Sequence, residues 1–158
     1  MLPDPLHPAV VHLPIALALL IPLVAFAALL AARGGWLPVR AWGFVVLLQA
    51  CLVGSAWLAM ETGEEEEERV ERVVAERHIE DHEESAERML WAAGIALLVI
   101  AAGFAPGRAG ALARPLGFAL SLGVLALAVD VGHTGGELVY RHGAASAYTR
   151  DVSAPPRE

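Results

Sequence analysis

Long apolar stretches alternate with short polar connectors along most of the chain. Four of them are long enough, or nearly so, to cross a bilayer as a helix, which takes about 20 mostly apolar residues. The predicted spans are residues 10–32, 41–60, 86–105 and 115–134. Because the connectors after the first and third spans are short and contain Gly and Pro, neighbouring spans should run antiparallel. The pattern predicts an all-α, integral membrane up-down four-helix bundle that forms a single domain.

One strongly polar segment, residues 61–88, precedes the third span. It holds most of the acidic residues, lacks Gly and Pro after Gly63, and is rich in helix-forming residues. We expect an acidic extramembrane helix that lies against the mouth of the bundle and can continue into the third span, while residues 135–158 form a C-terminal tail. Spacings of three and four predict that one helix face is shared by Val70, Val73, Val74, Arg77, His78, Asp81, His82 and Ser85.

Composition supports a membrane protein and narrows its partners. Apolar residues make up 56% of the 158 residues, which is high for a soluble domain, so bilayer lipid is the expected surrounding. The net charge of −7 and the absence of a basic, aromatic stripe argue against nucleic acid. The single cysteine, Cys51, lies in an apolar run, which excludes a disulfide framework and covalent haem attachment. Because Met1–Val10 has no basic residue, we expect the first run to be a retained span rather than a signal peptide.

Arginines near the span ends favour one orientation. The two short connectors hold Arg33, Arg40, Arg108 and Arg114 and no acidic residue, whereas seven arginines on the other side are spread over much longer segments. The density of positive charge therefore favours connectors in the cytoplasm. The termini and the acidic insert would then lie on the outer side of the membrane.

All six histidines fall at one end of the predicted bundle. With four spans in alternating directions, this holds whichever way the chain is inserted. Histidine is tolerated at interfaces and rare at bilayer centres, so some clustering is expected, but the lack of any histidine at the other end is informative. The histidines are His7, His12, His78, His82, His133 and His142.

Three of these histidines stand in informative positions. His12 is the only ionisable group in its run and should face the bundle interior, as a ligand or proton carrier or as a hydrogen-bonded structural residue. His78 and His82 are four residues apart, the spacing at which two imidazoles can share a metal, although charged helices often contain such pairs by chance.

The end of the fourth span combines a histidine with an acid and several glycines. Asp130 lies three residues before His133, close enough to orient the imidazole as the carboxylate beside a metal ligand does, or simply to form an Asp–His pair. Gly132, Gly135 and Gly136 either cap the helix or make room for a flat ligand.

The leading hypothesis is a b-type cytochrome for electron transfer. A non-covalent haem would lie at the outer end of the bundle between histidines from different helices. His12 and His133 form the first axial pair because they lie at similar depth on spans one and four, with His82 as the substitute. Arg141 could pair with a propionate, and Tyr140 could donate a hydrogen bond there.

Two further hypotheses belong to other classes. Imidazole and carboxylate ligands without thiolates fit zinc or copper(II), and the third hypothesis is a structural or interaction subunit without a cofactor. A homo-oligomer is left open. No Ser-His-Asp set with a nucleophile elbow supports hydrolysis. Metal ligands would come from His12, His78, His82, His133 and His142, with Asp81, Glu83 or Asp130 as acidic neighbours.

Four motifs resemble one family of bacterial membrane proteins. They are LHPAVVHLPIAL near the start, ETG after the second span, DHEESAERML before the third and GHTGGELVYRHG after the fourth. Over residues 7–143 the chain resembles the family known as domain of unknown function twenty-two thirty-one. The resemblance implies a four-span inner-membrane protein without an assigned activity. Because some members are joined to Rieske-type iron–sulfur or cytochrome c-like domains, it also implies redox partners of these kinds.

Overall fold

The computed structural model describes residues 5–149, whose regular secondary structure is entirely helical. Four long helices dominate it, and each contains a stretch long and apolar enough to cross a membrane. The predicted all-α bundle is therefore confirmed. The helices are α1 (His7–Val10), α2 (His12–Arg33), a 3-10 turn (Val39–Trp42), α3 (Gly43–Val70), α4 (Glu76–Ala102), α5 (Gly107–Tyr140) and α6 (Ser146–Thr149).

The long helices form a closed ring of neighbours. Helix α2 packs against α3 and α5, and α4 packs against α3 and, most extensively, α5. Small side chains such as Ala18, Ala25, Ala93 and Ala96 fill the interior. Alanine lets helix backbones approach closely, which is the usual way for helices to associate in lipid. Larger apolar side chains, including Leu23 at 64% exposure, project outward as a lipid-facing surface requires.

The two short connectors meet at one end of the bundle. Trp42 is 3% exposed, and its indole Nε1 donates to the Ile100 carbonyl oxygen at 2.8 Å. Arg114 Nη1 donates to the Gly103 carbonyl oxygen at 3.1 Å. Both bonds reach carbonyl groups at the C-terminal end of α4, and that of Ile100 also accepts from the Gly103 backbone N–H at 3.0 Å. The connector after α2 and the start of α5 are therefore held against the same helix end.

The acidic insert differs from the single helix expected for residues 61–88. Helix α3 continues to Val70, the chain turns at 71–75, and α4 starts at Glu76 and runs into the third apolar stretch. The helix-forming residues therefore lengthen two spanning helices into a projecting hairpin. Apolar burial explains the turn, because a small core there joins Val70, Val73, Val74, Ile79, Leu138 and Ala144.

Helix α5 is longer than the predicted fourth span. It passes through Gly135 and Gly136 and ends at Tyr140, so these glycines are not helix caps. The turn that follows contains Gly143, whose φ of +74° favours glycine. Of the predicted tail, residues 150–158 lie outside the described residues.

Candidate functional site

Two histidines from different helices lie close together at the acidic end of the bundle. His7 opens α1, and His82 lies in the second turn of α4. Their ring centroids are 6.5 Å apart, with the ring planes at 85°, and both side chains are half-buried. The sequence pattern predicts all six histidines at this end of the bundle, but it does not identify His7 among the ligands.

The ring of His7 is held by the last apolar turns of α3. Its Nδ1 lies 2.8 Å from the Ala59 carbonyl oxygen and 3.4 Å from Thr62 Oγ1. A carbonyl oxygen can only accept, so Nδ1 carries the proton and donates to Ala59. A neutral imidazole has one N–H, and Nε2 of His7 therefore keeps its lone pair. A Cβ at Gly63 would lie 3.2 Å from Cε1 of His7, so a glycine suits the place where α3 passes this ring.

A chain of hydroxyl groups orients His82 in the same sense. Ser85 Oγ donates to the His82 carbonyl oxygen at 2.8 Å, which uses the only proton of this hydroxyl. Thr134 Oγ1 lies 3.0 Å from Ser85 Oγ and 3.1 Å from the Val131 carbonyl oxygen, and either oxygen can accept its proton. With the Thr134 proton placed on one of them, the 2.9 Å contact between Thr134 Oγ1 and His82 Nδ1 uses the ring proton. In that tautomer Nδ1 of His82 is the donor, and Nε2 again keeps its lone pair.

Both imidazoles are thus arranged as metal-ligating histidines usually are. Such a ligand donates its other ring N–H to a fixed acceptor, which sets the tautomer and the ring orientation. Within residues 5–149, no hydrogen bond occupies Nε2 of His7 or of His82. We call His7, Thr62, His82, Ser85 and Thr134 the polar cluster.

The glycines beside the fourth span have separate roles. A Cβ at Gly135 would lie 3.0 Å from Cε1 of His82, whereas one at Gly132 or Gly136 would meet nothing within 4 Å. Gly135 therefore makes room for an imidazole ring. Each of the four motifs quoted above contributes at least one residue to the polar cluster. The ETG and HTGG segments supply its two threonines. Sequence reasoning missed Thr62 and Thr134, whose only signal was a small polar residue beside glycine.

A second group of predicted residues lines an open cleft of about 330 Å³ between α4 and α5. There the rings of His78 and His142 stack, with centroids 3.7 Å apart and planes at 18°. Arg77 Nε donates to His78 Nε2 at 3.3 Å, so one lone pair of His78 is already used. His78 and His82 consequently do not act as a pair, because His82 bonds inward to Thr134. The other lining residues are Asp81, Glu84, Arg88, Asp130, Thr134, Glu137 and Leu138.

The residues first predicted as axial ligands are exposed. His12 was expected to face the interior, yet its side chain is exposed to the surroundings of the bundle. His133 is 68% exposed, and its Nε2 lies 3.6 Å from Glu137 Oε1, so the acidic neighbour in contact is Glu137 rather than Asp130. No contact in the described part of the chain joins His12 to His133. The structure therefore brings together His7 and His82 instead.

The two residues predicted to meet haem propionates project from the end of α5. Arg141 pairs with Glu137 on the surface, and its side chain is 71% exposed. Tyr140 is 89% exposed. Their predicted role at a cofactor has no support from their contacts.

Tryptophans indicate how deep the polar cluster lies in a bilayer. Trp57 on α3 and Trp91 on α4 are 56% and 68% exposed, and tryptophan is enriched at membrane interfaces. Thr62 follows Trp57 by five residues, about 7.5 Å along the helix, and Ser85 precedes Trp91 by six residues, about 9 Å. The polar cluster therefore lies about 7.5–9 Å beyond the level of these tryptophans, at the acidic end of the bundle.

The comparison with known families covers nearly the whole chain. Residues 3–147 match the model of a family described as "Predicted membrane protein (DUF2231)". No curated protein and no solved structure matches the chain. The matched region includes the four long helices and the polar cluster. The chain belongs to the DUF2231 family of predicted membrane proteins.

Proposed function

We propose that this protein is a membrane electron carrier that binds b-type haem between His7 and His82. The proposal rests on two imidazoles that are each anchored through Nδ1 and each keep a lone pair on Nε2. His7 and His82 would hold the haem iron through these two Nε2 atoms, and their ring centroids lie 6.5 Å apart.

The donor set favours haem over a bare metal ion. Across residues 5–149, no three His, Cys, Asp or Glu side chains form a group that could hold a metal ion. Zinc sites in proteins use three or four protein ligands, whereas haem iron needs only axial ligands from the protein. Two histidines therefore suffice for haem and fall short of a zinc or copper site.

The residues of the cluster would have defined tasks around that cofactor. Haem supplies reversible one-electron chemistry when it is bound. Ala59 and Thr134 would accept hydrogen bonds from the two Nδ1–H groups, which leaves each Nε2 with the lone pair that ligation requires. Ser85 keeps Thr134 in place through its own hydroxyl.

The proposed location follows from charge. Arginine-rich connectors favour the cytoplasmic side of a bacterial inner membrane, which leaves the polar cluster on the outer side. There the electron partners would be the Rieske-type or cytochrome c-like domains that the family resemblance implies.

Absorption spectra of the full chain, purified in detergent from cells with adequate haem supply, test the proposal. We expect a Soret band and a low-spin spectrum after dithionite reduction. His7→Ala and His82→Ala should each abolish the low-spin spectrum, while the exposed His12→Ala and His133→Ala serve as matched controls that retain it.

Three outcomes would contradict this assignment. A missing Soret band would leave the polar cluster as a structural contact between helices. Loss of the low-spin spectrum in the His12 and His133 variants alone would restore those residues as the ligands. Elemental analysis that found stoichiometric zinc or copper in the same sample would favour the metal-ion site.

A further inference from the structure

The end of the bundle opposite the histidines carries positive charge alone. Residues 11–60 and 89–129 contain no aspartate or glutamate, and the structure brings their four arginines to this end. None of the four has an acidic partner among the described residues. They are Arg33 at the end of α2, Arg40 in the 3-10 turn, and Arg108 and Arg114 in the first turns of α5.

Exposed apolar side chains lie at the same level as these guanidinium groups. Trp36 is 85% exposed, Leu37 46% and Leu112 70%. Water alone around this surface would disfavour the exposed apolar side chains. Hydrocarbon alone would disfavour the charged guanidinium groups. The combination fits the boundary between lipid headgroups and acyl chains.

Packing holds the first connector and the start of α5 against the same end of α4. Trp42, from the first connector, donates to the Ile100 carbonyl oxygen, while Arg114 donates to Gly103 three residues further along. A Cβ at Gly103 would collide with Trp42 and lie 2.9 Å from Cγ of Arg114, so only glycine permits this close packing. The guanidinium of Arg114 is thereby held in place with other N–H donors left over.

We infer that this arginine end binds the headgroups of anionic phospholipids. Guanidinium groups pair with phosphate oxygens through two parallel hydrogen bonds, and the neighbouring apolar side chains would contact the acyl chains. Each basic residue near an anionic membrane surface strengthens binding roughly fivefold. This inference does not depend on haem binding.

Thermal unfolding of the full chain in a zwitterionic detergent provides the test. We expect phosphatidylglycerol to raise the unfolding temperature more than phosphatidylcholine with the same acyl chains does. The double variant Arg40→Gln/Arg108→Gln changes two exposed arginines. In this variant, the phosphatidylglycerol concentration that gives half of the maximal rise in unfolding temperature should increase about thirtyfold. Arg72→Gln/Arg77→Gln removes the same charge at the acidic end and should leave the titration unchanged.

Three results would overturn the inference. Equal stabilisation by the two lipids would show that headgroup charge is not recognised, and equal stabilisation by inorganic phosphate would show an anion site rather than a lipid site. An equal loss in both double variants would show an effect of net charge alone. If the first double variant does not purify as a monodisperse protein, the single variants Arg40→Gln and Arg108→Gln, each expected to shift the titration about fivefold, decide the question.

Discussion

Two adjacent glycines of α5 should respond in opposite directions to the same substitution. Gly135 and Gly136 both lie inside the helix, where alanine is favoured over glycine by about 0.5–1 kcal/mol. At Gly136 a Cβ meets nothing within 4 Å, so Gly136→Ala should raise the free energy of unfolding by that amount. Its effect reports helix propensity alone.

At Gly135 the same Cβ would lie 3.0 Å from Cε1 of His82 and 3.5 Å from its Nε2. The ring must then move by several tenths of an ångström, but its 2.9 Å hydrogen bond to Thr134 resists the movement. Overpacking costs about 1–3 kcal/mol and a weakened hydrogen bond about 1 kcal/mol. After the gain in helix propensity, Gly135→Ala should destabilise the protein by about 1–3 kcal/mol.

Thermal unfolding in detergent, followed by far-ultraviolet circular dichroism, compares the two variants directly. In a chain of this size, 1 kcal/mol corresponds to about 2–4 °C, so the unfolding temperatures should differ by several degrees. The proposed haem adds a second measurement, because a displaced His82 ring should weaken the low-spin spectrum only in Gly135→Ala. If Gly135→Ala proves as stable as Gly136→Ala, the close packing of α5 on His82 is refuted.

Substitutions at three further positions test other contacts by the same unfolding measurement. Thr134→Val removes the hydroxyl that contacts His82 Nδ1 and Ser85 Oγ and should cost about 1–3 kcal/mol, whereas Thr134→Ser should restore most of that stability. Equal stability of the two variants would show that these hydrogen bonds contribute nothing. Trp42→Phe removes the hydrogen-bond donor to the Ile100 carbonyl oxygen and should lower the free energy of unfolding by about 1–2 kcal/mol. An unchanged free energy of unfolding would mean that this bond contributes nothing. Gln49→Leu should leave the free energy of unfolding unchanged or raise it by up to about 1 kcal/mol, because Gln49 Oε1 is buried with no hydrogen-bond partner in residues 5–149. A large loss of stability would show that the hydrogen bond from Gln49 Nε2 to the Ala93 carbonyl oxygen outweighs this cost.

The helices could be predicted from sequence because their signal is strong and local. Each span is an apolar run of the length that a bilayer requires, and Gly and Pro separate two of the three pairs. The turn at 71–75 has no such signal. It contains Val73 and Val74 within a run of helix formers, and its position depends on burial against Leu138 and Ala144, which lie far away in sequence.

The side of a spanning helix on which a residue lies was harder to predict. In water an apolar stripe marks the buried face, but in lipid both faces are apolar, and size rather than polarity separates them. Ala18 is buried while its neighbour Leu19 is exposed. His12 lies among such residues, so its polarity wrongly indicated an inward position. The convergence of His7 with His82 depends on how four helix ends pack, which no local pattern reports.

The depth of the polar cluster bears on its coupling to membrane voltage. A charge that crosses the whole bilayer exchanges about 2.3 kcal/mol with a potential of 100 mV. Most of that potential falls across the hydrocarbon layer, and Thr62 and Ser85 lie beyond the tryptophans that mark its edge. A charge that arrives at His7 or His82 from the adjacent aqueous side therefore crosses little of the field. If haem is bound there as proposed, its exchange of electrons with a partner on that aqueous side would have nearly the same equilibrium with and without a membrane potential.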